Sequence, residues 1–168
     1  MKKFLMLAAM TAILFSCNKG KNNGTTFSND MDNVKMWNNP ANVVKGIAHS
    51  GNYSCKLDTA NIYSFGFNTL LGDALTQMPK KINVSLWVYS LISNPASSLV
   101  VEINNNGQQI FWKNADFKTT VSKTKDWTEI KASFDLPTNL NPKDELKIYV
   151  WNPKKQELYV DDFNISFE

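Results

Sequence analysis

Arginine is absent from all 168 residues, and the chain holds one histidine and two cysteines. Without a guanidinium it lacks the side chain best suited to bidentate phosphate contacts and to base-edge reading, which speaks against a nucleic-acid partner. Nucleophilic catalysis of the Ser-His-Asp or Cys-His kind would have to run through His49, which sits just before the Ser50-Gly51 turn, where capping or packing is the ordinary role. One histidine and one strand-embedded cysteine do not make a zinc set, and no glycine-rich phosphate loop is present. The apolar run at the N-terminus, Phe4 to Phe15, falls short of the roughly 20 residues of a membrane-spanning helix. Nor does any stretch of about eleven residues show the apolar spacing of three and four that marks an amphipathic helix. A glycosidase needs only two carboxylates about 5 to 9 Å apart, which a sequence cannot reveal. A chain this short leaves little wall for a deep cleft, so the reading is non-catalytic.

What is present begins at the N-terminus. Met1-Lys2-Lys3 is followed by the uncharged run Phe4 to Phe15 and then by Ser16-Cys17, the layout of an export signal. Leu14-Phe15-Ser16-Cys17 resembles the bacterial lipobox, which implies cleavage before Cys17 and a lipid on its sulfur. Residues 1–16 are therefore expected to be a signal peptide, and residues 17–26, which contain no large apolar side chain, a flexible tether. Acyl chains contribute about 0.8 kcal/mol per buried methylene and hold such a protein at a membrane surface. Asn18 stands where inner-membrane lipoproteins of enteric bacteria resemble one another in carrying aspartate, which points to the outer membrane. The leaflet face stays open. Loss of residues 1–16 removes Lys2 and Lys3 and no acid, leaving sixteen lysines against 15 carboxylates. Cys55 is then the one remaining thiol, in the strand-like Tyr53-Ser54-Cys55-Lys56-Leu57, where a buried inert thiol is expected.

From Phe27 to Glu168, period-two runs bounded by Gly, Pro, Asn and Asp recur. Ser54–Asp58, Ile62–Leu71, Ile82–Leu91, Leu99–Asn104, Gln109–Lys113, Thr128–Phe134, Leu146–Trp151 and Glu157–Phe167 read as strands. Asn105-Asn106-Gly107 reads as a hairpin turn. Eight or nine strands over about 140 residues predict an all-β, two-sheet antiparallel sandwich as one domain, 27–168.

The segments Ala48-His49-Ser50-Gly51-Asn52-Tyr53-Ser54, Ile82-Asn83-Val84-Ser85-Leu86-Trp87-Val88, Asp126-Trp127-Thr128-Glu129-Ile130, Leu146-Lys147-Ile148-Tyr149-Val150 and Leu158-Tyr159-Val160-Asp161-Asp162-Phe163-Asn164-Ile165 occur in that order. Together they resemble the jelly-roll carbohydrate-binding modules of the galactose-binding-like class. The resemblance implies a structural calcium ion held by Asp161 with Asp30 or Asp32 and by carbonyls near Ser50 or Asn52. The other reading is that Asp161 accepts backbone N–H bonds at a strand bulge without metal. By simple alternation Asp161 shares a parity with Phe163, Ile165 and Phe167, the core face. The first-strand match is poor, since Phe27-Ser28-Asn29-Asp30-Met31-Asp32 lacks the glutamate the family usually shows.

A sugar ring stacks its C–H face on Trp or Tyr while nearby polar groups bond its hydroxyls. Trp87 and Tyr89, and Tyr149 and Trp151, lie opposite the aliphatic parity of their strands. If those strands share a sheet, an aromatic stripe results, with Trp112 as a further candidate, Tyr63 and Asn68 at one rim, and Asn83, Glu129, Lys131 and Lys147 as polar companions. In the resembled class, tryptophans at the places of Trp87 and Trp127 often serve packing. Two functions follow as expectations: a non-catalytic envelope lipoprotein that binds a glycan through these aromatics, or one that docks an envelope protein on the same face.

Overall fold

In the computed structural model of the protein, which describes residues 25–33, 37 and 42–168, alternation sets the architecture. The signal, Cys17 and most of the tether lie outside the described residues. In β5 (Lys81–Ser90), Ile82, Val84, Leu86 and Val88 are at most 2% exposed, while Asn83, Ser85, Trp87 and Tyr89 between them point outward and are half-buried. β9 (Glu145–Trp151) repeats the pattern with Leu146, Ile148 and Val150 inside. A strand that buries one parity on a common core can only be satisfied by a second sheet facing it.

The remaining strands are β1 (Thr26–Asn29), β2 (Val43–Lys45), β3 (Tyr53–Leu57), β4 (Phe67–Leu70), β6 (Ser98–Asn105), β7 (Gln108–Asp116), β8 (Trp127–Asp135) and β10 (Leu158–Phe167). One sheet runs β2-β3-β10-β5-β8, with β1 also paired to β10; the other runs β4-β9-β6-β7. Each recorded pair is antiparallel. The fold is thus the all-β, two-sheet antiparallel sandwich that the alternation predicts, in the jelly-roll class that the resemblance implies. β6 and β7 are joined by the two-residue turn Asn106-Gly107, flanked by the Asn105–Gln108 pair, as a hairpin of that composition requires.

Between the sheets lie Phe65, Phe117, Phe163, Leu57, Leu71, Leu99 and Ile103, all essentially inaccessible. Trp37 closes one end, stacked on Phe65 at 5.7 Å and edge-on to Phe67 and Phe163. Truncating such a side chain to alanine costs about 2 to 5 kcal/mol, because close packing leaves a cavity.

Three details depart from simple alternation. β1 and β2 are strands of four and three residues, too short to show a period. Ile62–Leu71 is not one strand: Tyr63 makes an isolated bridge to Trp151, β4 starts at Phe67, and a helical turn, α1, runs Leu71–Ala74. Most consequentially, β10 carries a bulge between Asp161 and Asn164, with Asp162 at φ 49°. An extra residue flips the parity. Leu158 and Val160 face the core before it, and Phe163, Ile165 and Phe167 face the core after it. Asp161 therefore pairs beside Trp87 on the outer side of its sheet, correcting the expectation that it shares the core face of Phe163. It is nevertheless buried, because the 46–52 loop folds over it.

Candidate functional site

The strand registers fix what each outer face displays. On the four-stranded sheet, Tyr149 lies opposite Val100 and then Asn114; Trp151 lies opposite Ser98 and then Asp116; Lys147 lies opposite Glu102 and then Trp112. Tyr63 bridges to Trp151, and Asn68 pairs with Lys147. Side chains opposite one another on one face sit about 4.5 to 5.5 Å apart at Cβ, so Tyr63, Tyr149, Trp151 and Trp112 form one aromatic field. Tyr63 meets Tyr149 edge-on at 5.6 Å, and Trp112 meets Trp151 edge-on at 6.2 Å. Val100 points outward at the centre of this grid yet is 0% exposed. The large side chains around it cover it and form a second small apolar layer on the outside of the sheet.

Polar groups are built into the same field. Tyr149 donates its hydroxyl to Glu102 Oε2 at 2.7 Å, and Asn104 Nδ2 donates to Glu102 Oε1 at 2.7 Å. Burial, and then the adjoining Glu102 carboxylate, hold the Tyr149 phenol well above the usual tyrosine range, so it remains a donor at any physiological pH. Glu102 is left oriented, with lone pairs to spare for a ligand hydroxyl. Lys147 pairs with Glu145 at 3.1 Å. Ser98 donates to Asp116 at 2.6 Å, and Asn114 donates to both. A groove of about 410 Å³ lies on the outer face over β4, β9 and β6, lined by Tyr63, Gly66, Asn68, Glu102, Lys147 and Tyr149. Tyr63, 47% exposed, forms its most open wall.

Gly66 makes the groove possible. A Cβ there would lie 2.6 Å from the Ile148 carbonyl oxygen and 3.1 Å from Tyr149 Cβ. β4 and β9 approach at this point more closely than a side chain permits, which brings Tyr63 against Tyr149.

The condition for a single stripe of four aromatics, that both strands share a sheet, is not met. Trp87 and Tyr89 belong to the other sheet, and their outer face is the far side of the sandwich. There Trp87 is covered by the His49 ring, stacked at 3.8 Å, while His49 also meets Trp127 edge-on at 5.5 Å. Tyr89 packs between Trp127 and Tyr159. Asn83, Glu129 and Lys131 share this face with them, whereas Lys147 belongs to the groove.

The aspartates expected to hold calcium are placed as follows. Asp161 Oδ2 accepts the backbone N–H of His49 at 2.7 Å and of Ser50 at 3.2 Å, and Oδ1 accepts that of Asp162 at 2.8 Å. Asp162 binds the His49 ring nitrogen and accepts the Ser50 hydroxyl at 2.6 Å. Asp32 accepts the backbone N–H groups of Asn52 and Tyr53 at 2.9 and 3.3 Å. Asp30 caps its own turn by accepting the Asp32 N–H at 3.2 Å and is exposed. Calcium requires six to eight oxygen donors converging on one point, and these carboxylates converge on N–H and O–H donors instead. Among the described residues, no three acidic, histidine or cysteine side chains gather as a metal-ligand group. The set does not fit the ion that the family resemblance implies.

Cys55 is fully buried, and burial pushes its thiol up to about 12. Val100, Glu102, Gly66 and the Ser98-Asn114-Asp116 network were not singled out from the sequence. The run Leu99-Val100-Val101 hides its parity, although Glu102 between Val101 and Ile103 announces an outward position.

No protein-family model and no curated protein matches the chain. Solved structures do. The chain is similar to the CBM22-2 xylan-binding domain from Paenibacillus barcinonensis Xyn10C, with 23% identity and a TM-score of 0.59 over 84% of this chain and 99% of that domain. It is similar to the CBM22-1 xylan-binding domain of the same protein at 14% identity and a TM-score of 0.54, covering 84% of this chain and 92% of that one. The C-terminal family 22 carbohydrate-binding module of Clostridium thermocellum Xyn10B matches at 15% identity and a TM-score of 0.52, covering 84% and 91%. At these identities the likeness establishes the fold: this is the jelly-roll sandwich found in carbohydrate-binding modules.

Proposed function

We propose that this is a non-catalytic glycan-binding lipoprotein that takes its ligand on the outer face of the β4-β9-β6-β7 sheet. The observation that carries the reading is the aromatic field of Tyr63, Tyr149, Trp112 and Trp151 on one sheet face, next to a groove that Tyr63 and Tyr149 line with Glu102, Asn68 and Lys147. Apolar ring faces suit the C–H faces of pyranose rings, and an oriented carboxylate, amide and amine suit the equatorial hydroxyls. The likeness to modules whose names specify xylan binding supports a plant-type polysaccharide chain as a first ligand to test. A polar-rimmed groove favours sugar over the protein-docking alternative, for which a flat apolar patch would be the suitable surface.

Anchoring rests on the lipobox-like Leu14-Phe15-Ser16-Cys17. We place the domain at the envelope, on the outer membrane, tethered through Cys17. A tethered binder gains local concentration, so shallow recognition suffices. Metabolic labelling with a clickable fatty acid checks the anchor: wild-type protein is labelled, and Cys17→Ser protein is not. Affinity electrophoresis through gels containing xylan, β-1,4-galactan, β-glucan and a mannan checks the ligand. Retardation that Tyr149→Ala or Trp151→Ala abolishes supports the proposal. No retardation on any polysaccharide, together with recovery of one envelope protein by pull-down, contradicts it.

A further inference from the structure

The 49–53 loop is gripped from both ends of the domain at once. From the N-terminal side, Asp32 takes the amides of Asn52 and Tyr53, with the Asn52 side chain at 3.4 Å adding a third bond. From the last strand, Asp161 takes the amides of His49 and Ser50, and Asp162 takes the His49 ring and the Ser50 hydroxyl. Four of the five loop residues thus present backbone N–H groups to carboxylates. Gly51, the fifth, has φ +57°, and a Cβ on it would fall 2.0 Å from Asp32 Oδ2. Glycine is therefore required twice over: for the left-handed backbone, and for the close seat of the carboxylate against the loop.

The polarity of this arrangement is the opposite of a cation site. Successive backbone N–H groups turned to one concave side form an anion-binding surface, and here the anions are the protein's own side chains. Charge-assisted bonds from backbone N–H to carboxylate are among the stronger hydrogen bonds available. The hydrogen bonds that Asn52 and Tyr53 donate to it hold the Asp32 carboxyl below its ordinary value. His49 completes the device. Its ring pairs with Asp162 and lies flat on Trp87, so the loop that joins the two chain ends also covers Trp87 on the outer face of the six-stranded sheet.

We infer that the chain ends are fastened by a cation-free clasp, in which Asp32, Asp161 and Asp162 grip the 49–53 loop directly, in place of the calcium ion that the family resemblance implies. The clasp does by hydrogen bonding what a shared ion would do by coordination: it ties the N-terminal segment, an internal loop and the last strand to one point. It leaves Trp87 as the floor under His49, and so unavailable as a sugar platform.

The test uses the full chain in detergent. Its melting temperature is measured after exhaustive chelation and again in millimolar Ca²⁺, alongside equilibrium dialysis against ⁴⁵Ca²⁺. The clasp predicts a shift below about 1 °C and no stoichiometric calcium. A rise of several degrees with one bound ion overturns it. Asp161→Asn should lower the melting temperature by a similar amount with and without calcium and should speed hydrogen exchange at the His49 and Ser50 amides. Should that variant fail to fold, Ser50→Ala, which removes only the hydroxyl bond to Asp162, carries the same comparison. An effect of either substitution confined to calcium-containing buffer also overturns the inference.

Discussion

Gly66→Ala tests whether the groove depends on the approach of β4 to β9. The added methyl would sit 2.6 Å from the Ile148 carbonyl oxygen, and ordinary contact begins near 3.4 Å, so the strands must part by about 0.8 Å. They are pinned on either side. Ser64 donates its backbone N–H to the Val150 carbonyl at 3.0 Å and receives the Val150 N–H on its hydroxyl at 2.8 Å, while Phe67 pairs with Ile148. Relaxation is therefore expensive, and overpacking of this kind costs about 1 to 3 kcal/mol. For a domain of this size that lowers the melting temperature by roughly 4 to 12 °C. The same displacement separates Tyr63 from Tyr149, now 5.6 Å apart, and loss of a ring pairing worth about 0.5 to 1.5 kcal/mol weakens ligand binding roughly two- to tenfold. Thermal melts and affinity electrophoresis on the same preparation read both effects. Gly72→Ala is the matched control: its Cβ would meet Pro142 Cβ at 2.6 Å, in α1 and outside the groove residues. It should lose stability and keep its affinity. If Gly66→Ala retains both wild-type stability and affinity, or if Gly72→Ala loses affinity equally, the account of the groove is wrong.

Tyr149→Phe keeps the ring and removes the bond to Glu102. It should weaken binding about two- to tenfold, since such a bond is worth about 0.5 to 1.5 kcal/mol, whereas Tyr149→Ala should abolish retardation; equal affinity in wild type and Phe variant would show that Glu102 is not oriented for the ligand. Burial pushes Asp161 up to about 6 in the folded protein, against its three N–H donors, from an ordinary 3.8. The folded state therefore binds the proton more tightly: this contribution to stability is full below pH 3.8 and is lost as pH rises through about 6. The difference in denaturation midpoint between wild type and Asp161→Asn should change over that window, and a flat difference would refute the assignment. In a Cys17→Ser background, Cys55 should resist an aromatic disulfide reagent at pH 8 until the fold is unfolded, because thiolate formation is suppressed; immediate modification of the native protein would contradict its burial.

The sandwich was legible because β5 and β9 alternate without interruption, and because Asn106-Gly107 marks a hairpin. Parity tells whether a side chain points in or out, but not which sheet carries it. That is why Trp87 and Tyr89 look equivalent to Tyr149 and Trp151 in the sequence and lie on opposite faces in the fold. The bulge at Asp162 entered as one reading of Asp161, but its effect on parity was hidden for a related reason. Nothing in Val160-Asp161-Asp162-Phe163 announces a left-handed residue, and one such residue inverts every assignment on one side of it. Val100 was illegible because an outward valine in an apolar run is distinguished from its neighbours only by the rings that cover it. Of the clasp, Asp161 as an acceptor of backbone N–H bonds was one of the two readings, and the family resemblance set it beside Asp32 and the 50–52 turn; the bonds of Asp162 to His49 and Ser50, which span the whole chain, were not legible.

The central claim is that one face of one sheet recognises a glycan, and isothermal titration of a soluble xylan-type oligosaccharide into the protein tests it most directly. The account predicts saturable binding to the wild type, at least a tenfold loss in Trp151→Ala, and an unchanged affinity in Tyr89→Ala on the opposite face. Equal losses in both variants, or no heat with any neutral oligosaccharide, would contradict it.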